Sequence, residues 1–274
     1  VDNGYDVANY TAIDPAYGTM SDFDHLVEQA HKRGLRVILD MVFNHSSTQH
    51  HWFHESLNPE SPYRDYYIWR DGTPTEPPNN WKSKFGGSAW RWHPESNQYY
   101  MHLWAPEQAD LNWENENVRA ELKQIVNFWA DRGIDGLRLD VVNLVSKDQD
   151  FPNDPNGDGL RFYTDGPRIH EYMREMSRDV FRPRELMTVG EMSSATLEHC
   201  QQYGSLEGEE LSMVFSFDHV EVDFFNGQKW TLTPLDLVAQ KAIFTHWQHG
   251  MHNKAWNALF WCNHDQPRVV SRWG

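Results

Sequence analysis

The chain has 274 residues, a formal charge of −16, and 39% hydrophobic and 14% aromatic content. That is ample apolar material for one large domain or two. No basic run interrupts the acidic balance and no long apolar run appears, which argues against a nucleic-acid partner and against a membrane span.

In chain order, "SDFDHLVEQAHKRG" predicts a helix with Ser21 as N-cap, Phe23, Leu26, Val27 and Ala30 on one face, and a stop at Gly34. "LRVILDMVF" (35–43) reads as a buried strand and ends in Asn44 and His45. The region up to Asn112 breaks the rhythm. It is rich in Pro, Gly, Asn and Trp, and a structureless loop of that length is improbable in a compact domain, so an inserted small domain is expected. "NENVRAELKQIVNFWADRG" repeats the helical design and stops at Gly133. "GLRLDVV" (136–142) is a second buried strand, "GPRIHEYMREMSRDV" a helix, and "LMTVGEM" (186–192) a third strand ending at Glu191. "SMVFSF" (212–217) is a weaker strand, "TPLDLVAQKAIFTHWQHG" a helix, and "ALFWCNHD" (258–265) a strand ending in His264 and Asp265.

Alternation of helix and buried strand implies parallel βα units. Polar residues at the strand ends suit an α/β barrel, whose active sites sit at the C-terminal strand ends. A doubly wound sheet also puts its site there, but no Gly-rich phosphate loop follows any strand. The expected division is barrel over 1–44, insertion over 45–112, and barrel again over 113–274. Cys200 and Cys262 form no disulfide framework and read as thiols of a reducing, cytoplasmic setting. The chain begins at Val1 rather than Met, which leaves a leader segment open.

The strand "DGLRLDVVN" carries charge where apolar residues are expected. Alternate strand residues share a face, so Arg138 and Asp140 point one way and Leu137, Leu139 and Val141 the other. Burying charge is costly unless it is paired or used. Asp140 is followed on later strand ends by Glu191 and Asp265. Three carboxylates brought together repel, and one is held protonated unless cations intervene. Glycoside hydrolysis needs such a set: a carboxylate nucleophile and a carboxylic acid of raised pKa.

"DMVFNH", "GLRLDVVN", "VGEM" and "NHDQPR" resemble, in order, the four signature segments of the alpha-amylase family of glycoside hydrolases. The resemblance implies a (β/α)8 TIM barrel, incomplete in this chain, with a small domain B inserted after the third strand. It places the chain in the middle of a longer enzyme. It also implies a retaining mechanism: Asp140 as nucleophile, Glu191 as general acid/base, and Asp265 as the carboxylate that grips sugar hydroxyls and stabilises the transition state. Arg138 would orient Asp140, and His45 and His264 would hydrogen-bond the sugar. "DNGYD" supplies Asp2 for sugar hydroxyls and Tyr5 for stacking. Phe85 and Trp104 would form aromatic walls, although the family more often shows Phe at the position of Trp104.

"FGGSAW", "ADLNWEN" and "HDQPRVVSRWG" resemble the exo-acting α-glucosidase branch of that family, which includes oligo-1,6-glucosidases and hydrolases of trehalose 6-phosphate; the run from Asn79 to Asn115, with "YTDGPR" and "GEMSSATLEHC", resembles the latter. The expected partner is a small phosphorylated disaccharide or an oligosaccharide. Lys82 and Lys84, on either side of Ser83 in an acidic chain, suit a phosphate; two solvated loop lysines fit as well. Arg168 in "TDGPR" is a further candidate cation. "DPNGDGLRFYTD", from Asp154 to Asp165, approximates a calcium loop but ends in Asp rather than Glu; a surface turn is the favoured reading, and no metal or cofactor is assigned. A non-catalytic barrel is the rival of another class, disfavoured because all three carboxylates are in place.

Overall fold

The computed structural model describes residues 2–225, 228–231 and 233–274; Val1, the first residue of the expected barrel segment, lies outside them. The N-cap of helix α1 (Met20–His31) lies two residues before the expected Ser21. Thr19 is the N-cap, and it forms a capping box with Asp22. Phe23 and Val27 are buried as expected, whereas Leu26 is exposed. Strand β1 (Ile38–Met41) then leads into β2 (His45–Ser47), α2 (His51–Ser56), β3 (Trp69–Arg70), β4 (Trp90–His93), β5 (Gln98–Met101) and β6 (Gln108–Asp110). These pair as two small antiparallel sheets, β2–β6 and β3–β5–β4.

Helix α3 (Glu116–Ala130) is capped by Asn115 and buries Val118, Leu122, Ile125, Val126 and Trp129, one stripe at helical spacing. Strand β7 (Gly136–Leu139) follows, then α4 (Leu160–Tyr163) and α5 (Ile169–Met176), which runs into a π-helical turn at Ser177–Phe181. The remaining elements are β8 (Met187–Glu191), α6 (Leu197–Tyr203), β9 (Met213–Phe215), α7 (Leu237–Met251) and α8 (Val269–Trp273).

Strands β1, β7, β8 and β9 form one parallel sheet in that order. Its register aligns Asp40 with Arg138 and Arg138 with Val189. Leu137 and Leu139 are fully buried, on the face opposite Arg138, in one core cluster with Leu122, Val126 and Trp129 of α3. A second cluster joins Trp81, Trp90, Met101 and Leu103 to Leu144, Phe151 and Tyr163, and so seats the 68–103 region on the segment after β7.

One expected strand is corrected. Residues 258–265 form no ladder: Asn257 makes a single parallel bridge to Val214, and the Ala258 N–H donates to the Val214 carbonyl at 2.9 Å. Leu259 and Trp261 are about half exposed, so the apolar run that predicted a two-sided strand lacks the second neighbour such a strand needs among the described residues. The Asp154 loop is a turn whose carboxylate is already engaged by the N–H groups of Asn156 and Gly159 and by Arg161 Nε. Among the described residues, no group of three His, Cys, Asp or Glu side chains is arranged for a metal, and no helix is long and apolar enough to cross a membrane.

Candidate active site

A cavity of about 510 Å³ opens at the C-terminal ends of the parallel strands. Asp2, Tyr5, His45, Lys84, Phe85, Trp104, Asp140, Glu191, His264 and Asp265 all line it. Ten of the thirteen candidate site residues singled out from sequence therefore share one space; Arg138 lies beneath it, and Lys82 and Arg168 lie outside it.

Arg138 organises the floor. Its Nη1 donates to Asp140 Oδ1 at 2.5 Å and to Asp40 Oδ1 at 3.0 Å, and its Nη2 donates to Glu191 Oε2 at 2.6 Å. The backbone helps to place the acid. Val141 adopts left-handed dihedrals (φ 36°, ψ 43°), a costly conformation for a β-branched residue, and its N–H donates to Glu191 Oε2 at 3.2 Å. Gly190 is required by packing, since a Cβ there would lie 2.7 Å from Leu211 Cδ1. Burial raises the pKa of both Asp140 and Glu191, and Arg138 opposes the rise at each. The two carboxyl groups share Arg138, so they titrate as a pair rather than independently.

Asp265 is more exposed than the other two carboxylates, with its side chain about half open and His264 Nε2 at 3.2 Å from Oδ2. The missing ladder over 258–265 accounts for this. Tyr5 stacks on His264 at 5.2 Å and donates its hydroxyl to Asp40 Oδ2 at 2.6 Å. Asp2 accepts from Gln108 Nε2 at 2.9 Å. His45 is fully buried, and desolvation lowers its pKa. Phe85 meets Trp104 edge-on at 5.3 Å on the opposite wall.

The two lysines part company. Ser83 donates its hydroxyl to the Trp104 carbonyl, and the chain turns there, with the Gly86 N–H bonded to the Ser83 carbonyl. Lys84 thereby reaches into the cavity, its Nζ 3.4 Å from Ser193 Oγ and 5.4 Å from the Tyr163 ring centre, and burial lowers its pKa. Lys82 is exposed and pairs by its backbone with Ser88. Arg168 is engaged by Glu114 and Glu171 and does not line the cavity.

Sequence reasoning missed Asp40, Ser193, Glu221 and Lys229. Asp40 had a signal, an acid inside the apolar run "VILDMVF", the same signature that exposed Asp140. Glu221 and Lys229 come from a stretch without periodicity and had none. Lys229 Nζ donates to the Asp265 carbonyl at 2.5 Å, and burial raises the Glu221 carboxyl, with Asp218 adding to the rise.

An arc of parallel strands with helices between them, and acids gathered on one arginine at the strand ends, defines a sugar-cleaving barrel class. Residues 1–274 match the model of the alpha-amylase catalytic domain, and the chain belongs to that family. It is 73% identical to the trehalose-6-phosphate hydrolase of Escherichia coli K12, over all of this chain and 50% of that protein. It is 46% identical to the oligo-1,6-glucosidase of Halalkalibacterium halodurans, again over all of this chain and 50% of the relative. The crystal structure of Bacillus licheniformis trehalose-6-phosphate hydrolase superposes with a TM-score of 0.96 at 56% identity, covering 99% of this chain and 49% of that one. The chain spans about half the length of the curated relatives it matches.

Proposed function

We propose that this chain carries the reacting carboxylates of a retaining α-glucosidase that splits trehalose 6-phosphate into glucose and glucose 6-phosphate. The observation that carries this reading is the Arg138 fork, which holds Asp140 and Glu191 together at the cavity floor. Two carboxyl groups held on one guanidinium suit the short separation of about 5–5.5 Å of a retaining enzyme better than the about 6.5–9.5 Å that an inverting enzyme keeps for an intervening water. In this reading Asp140 attacks the anomeric carbon while Glu191 protonates the leaving oxygen, and Glu191 then deprotonates the water that releases the sugar. Asp265, His264, His45, Asp2 and Tyr5 hold the glucose, with Phe85 and Trp104 as walls. Lys84 takes the phosphate, since it is a desolvated ammonium that reaches into the cavity without an ion-pair partner at contact distance among the described residues, and such a group favours an anion. Lys82, exposed and outside the cavity, is given no contact. Residues 45–112 act as the inserted domain that carries Lys84, Phe85 and Trp104, between barrel segments 1–44 and 113–274.

The 73% identity to a trehalose-6-phosphate hydrolase supports the phosphorylated substrate over the oligo-1,6-glucosidase alternative. Parallel assays of the whole protein on trehalose 6-phosphate, trehalose and isomaltose test it, with product anomers followed by NMR. Preferred cleavage of trehalose 6-phosphate with α-glucose formed first is expected. A preference for isomaltose, or β-glucose as first product, overturns it.

A further inference from the structure

Beneath the sugar cavity lies a second charged cluster that the reaction does not touch. Lys147 is fully buried, and its three ammonium protons meet three acceptors: Asp110 Oδ2 at 2.9 Å, the Leu144 carbonyl at 2.8 Å and Asn44 Oδ1 at 3.1 Å. Asn44 is also fully buried. Its Nδ2 faces Asp110 Oδ2 and His45 Nδ1, each at 3.2 Å.

Amide orientation is ordinarily a matter of assignment. Here the neighbours decide it. A lysine ammonium only donates, so the amide oxygen must face it; an ionised carboxylate only accepts, so the NH₂ must face that. The same NH₂ then meets His45 Nδ1, which has to accept. A neutral imidazole carries one N–H, so the proton sits on Nε2, 3.0 Å from the Tyr5 carbonyl it donates to. On that edge a second amide of fixed orientation approaches: Gln108 turns its oxygen to the Ala105 N–H and its Nε2 to Asp2, leaving Nε2 3.2 Å from His45 Nε2. In this tautomer the Nε2–H, aimed at the Tyr5 carbonyl, lies beside the Gln108 amide without bonding it; a proton on Nδ1 alone would instead meet the Asn44 NH₂ and set the Nε2 lone pair against the Tyr5 carbonyl, and an imidazolium would face amide donors at both nitrogens.

We infer that Lys147, acting through Asn44, is a positioning residue that fixes His45 as a neutral imidazole with its proton on Nε2, the edge shared with Tyr5 and Asp2. The inference rests on the glycosidase reading for its purpose. Glycoside cleavage passes through a cationic, oxocarbenium-like state, and a charged imidazole beside it would oppose that charge. The charged groups facing His45 are Asp140 at the cavity, Asp110 from β6, Lys147 behind Asn44, and Asp2 across Gln108. Burial and Lys147 hold the imidazolium off; Asp140 and Asp110 favour it.

The test uses ¹⁵N-detected histidine spectra of the whole protein and of Lys147→Met/Asp110→Asn, which removes the ammonium without stranding a buried carboxylate. The wild-type His45 ring should show a protonated Nε2 and bare Nδ1 at pH values below the ordinary imidazole midpoint of about 6.5. In the variant the amide is free to turn and Nδ1 can gain a proton, so His45 titrates at a value above the wild-type one, although burial still holds it down. kcat/KM should then acquire an added acid limb, falling a further tenfold per pH unit below that value. If the double variant fails to fold, Asn44→Asp, which presents oxygen to His45 while keeping Lys147 and Asp110, should give the same spectral change. A wild-type ring protonated at Nδ1, or a folded variant with unchanged tautomer and superimposable pH profile, overturns the inference. Should trehalose 6-phosphate go uncleaved while the resonances behave as stated, the functional reading fails and the positioning of His45 stands.

Discussion

Lys147 and Arg138 are both cations set among carboxylates close to the end of β7, yet the two settings differ in balance. Lys147 has three donors and three acceptors, and the one carboxylate it meets, Asp110, is itself filled by Leu103 N–H, Asn44 and the ammonium. Arg138 must serve Asp140, Glu191 and Asp40 at once, at the floor of an open cavity. A saturated cluster has no reason to change protonation and serves as a fixed strut. A cluster with one cation for three acids keeps a proton mobile, which is what acid–base chemistry requires. The excess of carboxylate over cation, more than burial itself, separates the cluster proposed to react from the one proposed to support it.

Four measurements break or sharpen that contrast, taken from the largest effect to the smallest. Asp140→Asn should abolish turnover by about 10⁴-fold or more while leaving urea unfolding close to wild type, because it relieves repulsion on Arg138 rather than stranding a charge. Near-normal kcat would remove Asp140 from the reaction. Lys147→Met should do the reverse to the fold: it leaves Asp110 buried without its ammonium, at a cost of about 3–5 kcal/mol, and adding Asp110→Asn should recover much of it. A single variant as stable as wild type would show that the strut is dispensable.

Lys84→Ala tests a cation that faces the cavity. Loss of a charge-assisted contact of about 1.5–3 kcal/mol predicts a roughly ten- to hundredfold lower kcat/KM on trehalose 6-phosphate, weakening with salt, and little change on trehalose. Equal losses on both substrates would make Lys84 a shaping residue only. Asp135 gives the small end of the scale, a carboxylate with donors to spare. Burial pushes its pKa up, but the Val37 N–H, Arg36 and His31 outweigh that and hold it down at about 2. The folded value lies below the unfolded value of about 3.9, so the stabilisation is present above that pH and is lost as pH falls through about 2. With Arg36 largely in solvent, about 1 kcal/mol is expected. The stability gap between wild type and Asp135→Asn at pH 7 should therefore close under acid; a gap that persists to pH 2 would refute the linkage.

Sequence alone determined the elements that local rules govern. The i, i+4 stripe of α3, the glycine stops after α1 and α3, and the alternation of helix with apolar run each depend on residues within a few positions of one another. The parity of a strand put Arg138 with Asp140, and the position of acids at the ends of apolar runs gave Asp140, Glu191 and Asp265. Tertiary structure decided the rest. Whether 258–265 becomes a strand depends on neighbours to pair with, and Asp265 is exposed accordingly. Which lysine enters the cavity depended on a turn closed by Ser83 onto Trp104, a contact across 21 positions. Lys147, Asn44, Asp110 and His45 come from segments as far as 103 residues apart and carry no shared motif. Their fixed hydrogen-bond polarity exists only once the chain has brought a donor-only ammonium and an acceptor-only carboxylate to opposite sides of one amide.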